Sequence, residues 1–263
     1  MKNVVLNYLF ITVFAVVVGV AFTSCGGGSG SGGGKIKMTA EANSKLIFYL
    51  GGSGVATVDW GDGTEKVSLT LHEANSYGNG VAFSHTYPDK SIRTITINGD
   101  NITSLVDFDN YITGLDVSCC TELTNLSFFG KLTKLNLSKN TALTGLYING
   151  GNLTSIDVSN NIALTYLYLG DNNLTSIDVS KNIALTYLDL GNNSLTSLDV
   201  SKNTALTKLG ISSNQLAASA LNALFETLHS NAGEKNICTS NNPGTSDCNR
   251  SLVTNKGWNV ECW

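Results

Sequence analysis

The sequence predicts a mainly β chain in which a small β-sandwich is followed by a solenoid of stacked coils and closed by an α/β cap. Three observations predict it. Between residues 35 and 100, β-branched runs of strand length alternate with turn signals rich in Gly and Asp. From about 101 to 216 the chain repeats itself every 21 residues, and a fixed period in the range of roughly 20–50 residues marks stacked copies of one supersecondary unit. At 217 the period stops, and Leu221, Leu224, Phe225 and Leu228 take the spacing of one helical face. With 263 residues, 42% of them hydrophobic, the chain can bury a proper core. A formal charge of −4, with Lys and Arg scattered singly, leaves no basic stripe to hold a phosphate backbone, so nucleic acid is excluded as a partner.

Residues 1–24 read as an export signal: Met1-Lys2 is the short positive region, Val4 to Ala21 is nearly all apolar, and Phe22-Thr23-Ser24 stand before Cys25. Left uncleaved, the apolar stretch is about long enough to span a bilayer, which takes roughly 17–25 residues. Either reading places the rest of the chain outside the cytoplasm. The residues before Cys25 resemble a bacterial lipobox, with Phe22 where Leu is usual, and the resemblance implies lipidation of Cys25. Residues 25–34 continue from that Cys as Gly and Ser alone, the composition of a flexible tether.

The first folded unit, residues 35–100, carries strand-like runs at Lys35–Thr39, Lys45–Leu50, Val55–Trp60, Val67–Leu71, Val81–His85 and Ile92–Asn98. Short strands at this spacing predict a β-sandwich. Asp59-Trp60-Gly61-Asp62-Gly63-Thr64 supplies a tight turn: the glycines admit positive φ, Asp62 can accept from neighbouring amides, and Trp60 can fill the core. Its carboxylates lack the alternating ligands and downstream Glu of a calcium loop. His85 is expected to pack beside Tyr87. The turn, His85-Thr86-Tyr87 and Thr94-Ile95-Thr96-Ile97 together resemble polycystic-kidney-disease-type (PKD) domains, which implies an immunoglobulin-like sandwich.

Residues 101–216 repeat in register: Leu115-Asp116-Val117-Ser118, Leu135-Asn136-Leu137-Ser138, Ile156-Asp157-Val158-Ser159, Ile177-Asp178-Val179-Ser180 and Leu198-Asp199-Val200-Ser201. This is the leucine-rich-repeat pattern. It occurs twice per period, since Leu164-x-x-Leu167-x-Leu169-x-x-Asn172 alternates with Leu174-x-x-Ile177-x-Val179-x-x-Asn182, so each coil is expected to hold two extended segments. The Leu, Ile and Val positions point inward. Asn140, Asn161, Asn172, Asn182, Asn193, Asn203 and Asn214 are expected to form a buried ladder, with Cys120 in the equivalent place as a structural thiol.

The two halves of the period differ. The Asp half is monotonous, whereas the other half varies outward through Asn125, Ser127 and Phe129, then Gly145, Tyr147 and Asn149, then Tyr166, Tyr168 and Gly170, then Tyr187, Asp189 and Gly191, then Lys208, Gly210 and Ser212. Monotony marks scaffold, and variation marks a surface with a partner. Phe129, Tyr147, Tyr166, Tyr168, Tyr187, Asp189 and Lys208 are therefore the candidate ligand-binding residues, the aromatic ones as a ridge. His72, His85 and His229 are scattered, and no nucleophile, base and orienting acid share a motif, so no catalytic residues, metal site or cofactor are expected.

Residues 217–263 are expected to cap the open end of the solenoid with the helix Ala217 to His229, an extended Asn236-Ile237-Cys238, a short helix near Ser246 to Asn255 and a last strand Trp258 to Cys262. His229 is placed at the helix end, facing the dipole. Cys238, Cys248 and Cys262 allow one bridge in three pairings.

Signal, lipobox, tether, PKD-like unit, repeats and cap together resemble leucine-rich-repeat surface lipoproteins of Bacteroidetes with internalin-type repeats. The resemblance implies a non-catalytic outer-membrane lipoprotein, displayed at the cell surface, that recognises or adheres to a host or bacterial surface protein. Its only membrane contact would be the N-terminal lipid. A glycan ligand on the tyrosine ridge, or a purely structural envelope role, are the alternatives.

Overall fold

The computed structural model describes residues 34–42, 44–74, 80–109 and 111–262. The export signal, Cys25 and all but the last residue of the tether lie outside the described residues. Thirteen strands hydrogen-bond into one continuous network. Its antiparallel part comprises β1 (Gly34–Ala40), β2 (Lys45–Asp59), β3 (Val67–Thr70), β4 (Val81–Thr86), β5 (Arg93–Asp107) and β6 (Ile112–Asp116). Its parallel part comprises β7 (Asn125–Phe129), β8 (Gly145–Asn149), β9 (Tyr166–Tyr168), β10 (Tyr187–Asp189), β11 (Lys208–Gly210), β12 (Asn236–Cys238) and β13 (Asn259–Val260). Helices α1 (Ala218–Thr227) and α2 (Ser251–Thr254) belong to the cap.

In the antiparallel unit, two expected strands become one. The runs Lys45–Leu50 and Val55–Trp60 join through Gly51-Gly52-Ser53-Gly54, where the register against β5 shifts twice. Gly52 (φ 146°) and Gly54 (φ 77°) take backbone angles that L side chains rarely adopt, so the strand bends there instead of ending. One end of β2 pairs with β4 and the other with β3. Alternate residues point inward, and Ile36, Met38, Phe48, Val58, Trp60, Phe83, Ile95 and Ile97 are buried. The Asp59–Thr64 turn behaves as its residues imply. Gly61 and Gly63 have φ of 76° and 85°, and the Thr64 amide and hydroxyl donate to Asp62. Tyr87 donates to the Trp60 carbonyl at 2.8 Å. His85 packs edge-on against Tyr87, stacks on Trp60, and reaches Asp62 at 2.7 Å.

Strand β5 runs through residue 100 without a break. Its first half pairs antiparallel with β1 and β2. Its last four residues, Ser104–Asp107, pair parallel with Asn125–Phe128 of β7 and so form the sheet of the first coil. One strand therefore belongs to both units. Strand β6 is drawn the other way: Ile112–Asp116 resembles a repeat in sequence, yet it pairs antiparallel with β1.

From β7 onward each coil contributes one strand, in register 20 or 21 residues from the last: Leu126, Leu146, Leu167, Leu188 and Leu209 form one inward column. Each is at most 1% exposed, and burying such a side chain stabilises by about 1.5–3 kcal/mol. The expectation of two extended segments per coil is half met. The stretches at 134–137, 155–158, 176–179 and 197–200 are not paired as strands. Just before each of them, one inter-coil backbone bond runs between turns, as from Asn173 to Leu153. Side chains take over the remaining backbone groups. Asn140, Asn161, Asn182 and Asn203 each donate to two carbonyls of the preceding coil at 2.8–3.1 Å. Asn136, Asp157, Asp178 and Asp199 each accept the amide two residues on, a tight turn that needs no partner strand.

The cap follows its sequence pattern with shorter elements. Leu221, Leu224 and Phe225 of α1 are buried, the second helix shrinks to α2, and the last strand to Asn259–Val260. Strands β12 and β13 extend the parallel sheet beyond β11. The bridge among the three C-terminal cysteines joins Cys238 to Cys262, leaving Cys248 as a thiol. His229 follows the end of α1 by two residues. It contacts the Leu206 carbonyl of the last coil at 2.8 Å and Trp258 edge-on, so it latches cap to solenoid.

Candidate functional site: the outer face of the parallel sheet

Alternation along each strand puts every second residue outward. The register sets three outward columns. The first reads Ser104, Asn125, Gly145, Tyr166, Tyr187, Lys208; the second reads Val106, Ser127, Tyr147, Tyr168, Asp189, Gly210. The third begins Phe129, Asn149. Along one edge, Thr124, Thr144, Thr165, Thr186 and Thr207 each donate their hydroxyl to the Thr carbonyl of the preceding coil, which fixes the coil spacing.

The structure brings the predicted aromatic residues together in two ranks. Phe129 meets Tyr147 at 5.0 Å, and Tyr147 stacks on Tyr168 at 4.3 Å with planes 12° apart. Tyr166 stacks on Tyr187 at 4.4 Å and 14°. Rings stacked across neighbouring strands turn their faces to one another, so edges and hydroxyls face the solvent. Asn149 donates to the Tyr168 hydroxyl (3.1 Å) and to Asp171 (3.2 Å). Burial pushes the Tyr168 phenol up to about 12, with the nearby Asp189 charge adding to it. Tyr147 and Tyr166 are raised as well, by burial first. At neutral pH these phenols are uncharged hydrogen-bonding groups and not nucleophiles.

Asp189 interrupts the second column. Its carboxylate accepts the Gly191 amide at 2.9 Å and the Tyr187 hydroxyl at 3.4 Å, and burial raises its pKa. It lies across Gly210, where a Cβ would come within 2.7 Å of its carboxyl carbon. Lys208 is exposed, opposite Tyr187 in the first column.

Two residues of this surface, and two on turns beside it in the chain, escaped the sequence reading. Tyr49 and Phe108 extend the first rank, Phe108 meeting Phe129 at 5.4 Å and Tyr49 at 6.2 Å. Phe108 lies just past β5, well beyond the run Ile92–Asn98 that the sequence marks as a strand. Ile162 and Ile183 are each 62% exposed on the turns leading into β9 and β10. The signal for them was present: flanking repeats carry Thr141 and Thr204 at the same position.

The opposite side of the coils offers open grooves of about 320 Å³ and 300 Å³, the first holding Asp178 and Asp199, the second Asn136 and Asp157. The carboxylates there are spent on their turns. Asp157, Asp178 and Asp199 are held below the usual carboxylate range by their Ser partners two residues on. Among the described residues no three His, Cys, Asp or Glu converge as metal ligands. Cys120 sits in the ladder as expected, 3% exposed, and burial pushes its thiol up to about 12, which leaves it inert.

A family model described as leucine-rich repeats (2 copies) matches residues 162–203. Among solved structures, the functional domain of InlJ from Listeria monocytogenes is similar at 33% identity over 55% of this chain and 31% of that one, with a TM-score of 0.45. An internalin (inlF) from the same species is similar at 20% identity over 56% and 44%, TM-score 0.48. A leucine-rich-repeat protein from Leptospira interrogans is similar at 16% identity over 55% and 44%, TM-score 0.40. The chain thus spans less than half the length of each. No curated protein matches it. Residues 162–203 thus match leucine-rich repeats, and the 21-residue repeats build a β-solenoid whose parallel sheet offers one variable outer face.

Proposed function

We propose that this chain is a non-catalytic recognition protein of the cell envelope that binds a protein partner through the outer face of the parallel sheet. One observation carries the reading: coils with the same interior differ on this face, which keeps aromatic side chains at the surface, Tyr166 37% and Phe108 46% exposed. Aromatic residues that keep a polar tip are the commonest anchors of protein interfaces. Ile162 and Ile183 widen the apolar area in the two coils that carry Tyr166 and Tyr187. Tyr147 has rings on both sides, Phe129 and Tyr168, which leaves a sugar no open face to pack on there and favours a protein ligand over a glycan. The antiparallel unit, PKD-like in its Trp60, His85 and Tyr87 corner, would act as spacer. A lipid on Cys25 would anchor the chain in the outer membrane, facing outward.

The test is a binding screen of the full chain against surface and matrix proteins and a glycan array, in parallel with the variant Tyr147, Tyr166, Tyr168 and Tyr187 to Ala, shown folded by its denaturation midpoint. The expected result is a protein ligand lost in the variant. A ligand that binds both forms equally would move the site off this face.

A further inference from the structure

Resting on that reading, we infer that the face seats an arginine side chain of the partner at the step where the second column falls from Tyr168 to Asp189 and Gly210. Three features of the step converge there. The first is shape: the column runs ring, ring, carboxylate, no side chain, so Tyr168 overlooks a floor made by Asp189 lying across Gly210. A planar group entering from solvent would meet the Tyr168 ring on one side and the carboxylate beneath.

The second is charge. Asp189 and Asp171 are close enough for each to raise the other's neighbours: Asp171 raises Asp189, and both raise Tyr147 and Tyr168. None of the salt bridges among the described residues includes either carboxylate. Asp189 is half-buried and keeps one amide and one phenol as its partners. A desolvated carboxylate without a cation is the complement of a cationic donor, and charge-assisted hydrogen bonds are about twice as strong as neutral ones.

The third is the balance of donors and acceptors. Carboxylates and phenol oxygens line the step, and Asn149 already spends its amide on Tyr168 and Asp171. The ligand must bring several donors on a flat frame. Guanidinium does so with five N–H groups and stacks on aromatic faces, whereas ammonium is a compact point charge.

The probe is a capped Gly-Arg-Gly-Arg-Gly peptide titrated against the full chain by NMR or calorimetry, with the Lys and citrulline versions alongside. The Arg peptide should bind several-fold tighter than the Lys peptide, and the citrulline peptide not at all. Asp189→Asn, which keeps the Gly191 bond, should weaken the Arg peptide about tenfold. Asp178→Asn, on the far side of the coil, should leave it unchanged. Absence of Arg binding at millimolar peptide, equal effects of the two Asn variants, or no preference for Arg over Lys would each overturn the assignment. If a partner from the wider screen is lost in the tyrosine variant yet retained by Asp189→Asn, the arginine seat fails while the face reading stands. A partner indifferent to the tyrosines sinks the face reading itself.

Discussion

The two halves of each coil obey opposite rules. On the Asp side each coil repeats the same Asx turn and the same buried Asn. On the sheet side the inward Leu column is just as monotonous, but the outward columns change at every coil. Backbone hydrogen bonding explains the division. A strand satisfies its backbone through its neighbours, so the outward side chains of the sheet are free to vary. The Asp half has few backbone partners, so its side chains must supply them and cannot vary. The two Asn ladders carry the same contrast. Asn172, Asn193 and Asn214 use both ends of the amide, the oxygen accepting from Leu153, Leu174 and Leu195. Asn140, Asn161, Asn182 and Asn203 each donate to two carbonyls, but their buried oxygens have no partner.

The largest expected effect breaks the one inward position of the sheet that ignores the apolar rule. Asp107 stands opposite Phe128, is 0% exposed, and neither of its oxygens makes a well-formed hydrogen bond. Burial first, and Asp109 second, raise its pKa from 3.8 to about 7. Its folded-state value lies above its unfolded one, so the folded protein binds the proton more tightly. Stability should therefore fall as pH rises from about 4 to 7, by about 4 kcal/mol from this group. Asp107→Leu should abolish that slope and raise the urea midpoint at pH 8; an unchanged slope would show that the carboxyl is solvated.

The second effect sharpens the ladder comparison. Asn193→Ala strands an amide as well as carbonyls, so it should cost about 3 kcal/mol, whereas Asn182→Ala strands carbonyls alone and removes an unpartnered oxygen, costing about 2 kcal/mol. Denaturant midpoints of the two variants read the order directly, and the reverse order would sink the distinction. The smallest effect lies on the variable face, where Tyr166→Ala should change stability by less than about 1 kcal/mol. A larger loss would make the stacked tyrosines part of the scaffold.

Much of the fold was legible because its determinants repeat locally. Asn140, Asn161, Asn182 and Asn203 recur at a constant interval, and Cys120 could be placed in the ladder by counting. The turn at Asp62 and the apolar stripe of α1 were legible for the same reason: the residues that make them are close in sequence. Elements set by distant pairing were not. Ile112–Asp116 carries a repeat-like sequence, but β1 captures it as an antiparallel partner, and nothing within five residues announces that. The aromatic residues of the face were legible as a set, while their edge-out stacking was not, because ring orientation depends on the neighbour one coil away.

The sequence by itself determined the period, the inward columns, the Asn ladders and which outward positions vary, since each follows from residue spacing along one coil. The tertiary structure alone decided that β5 serves both units, that Cys238 pairs with Cys262, that Phe108 joins the tyrosine rank and that Asp189 lies over a bare glycine. Each of these joins residues far apart in the chain, where the energy comes from packing and pairing across space and leaves no local pattern to read.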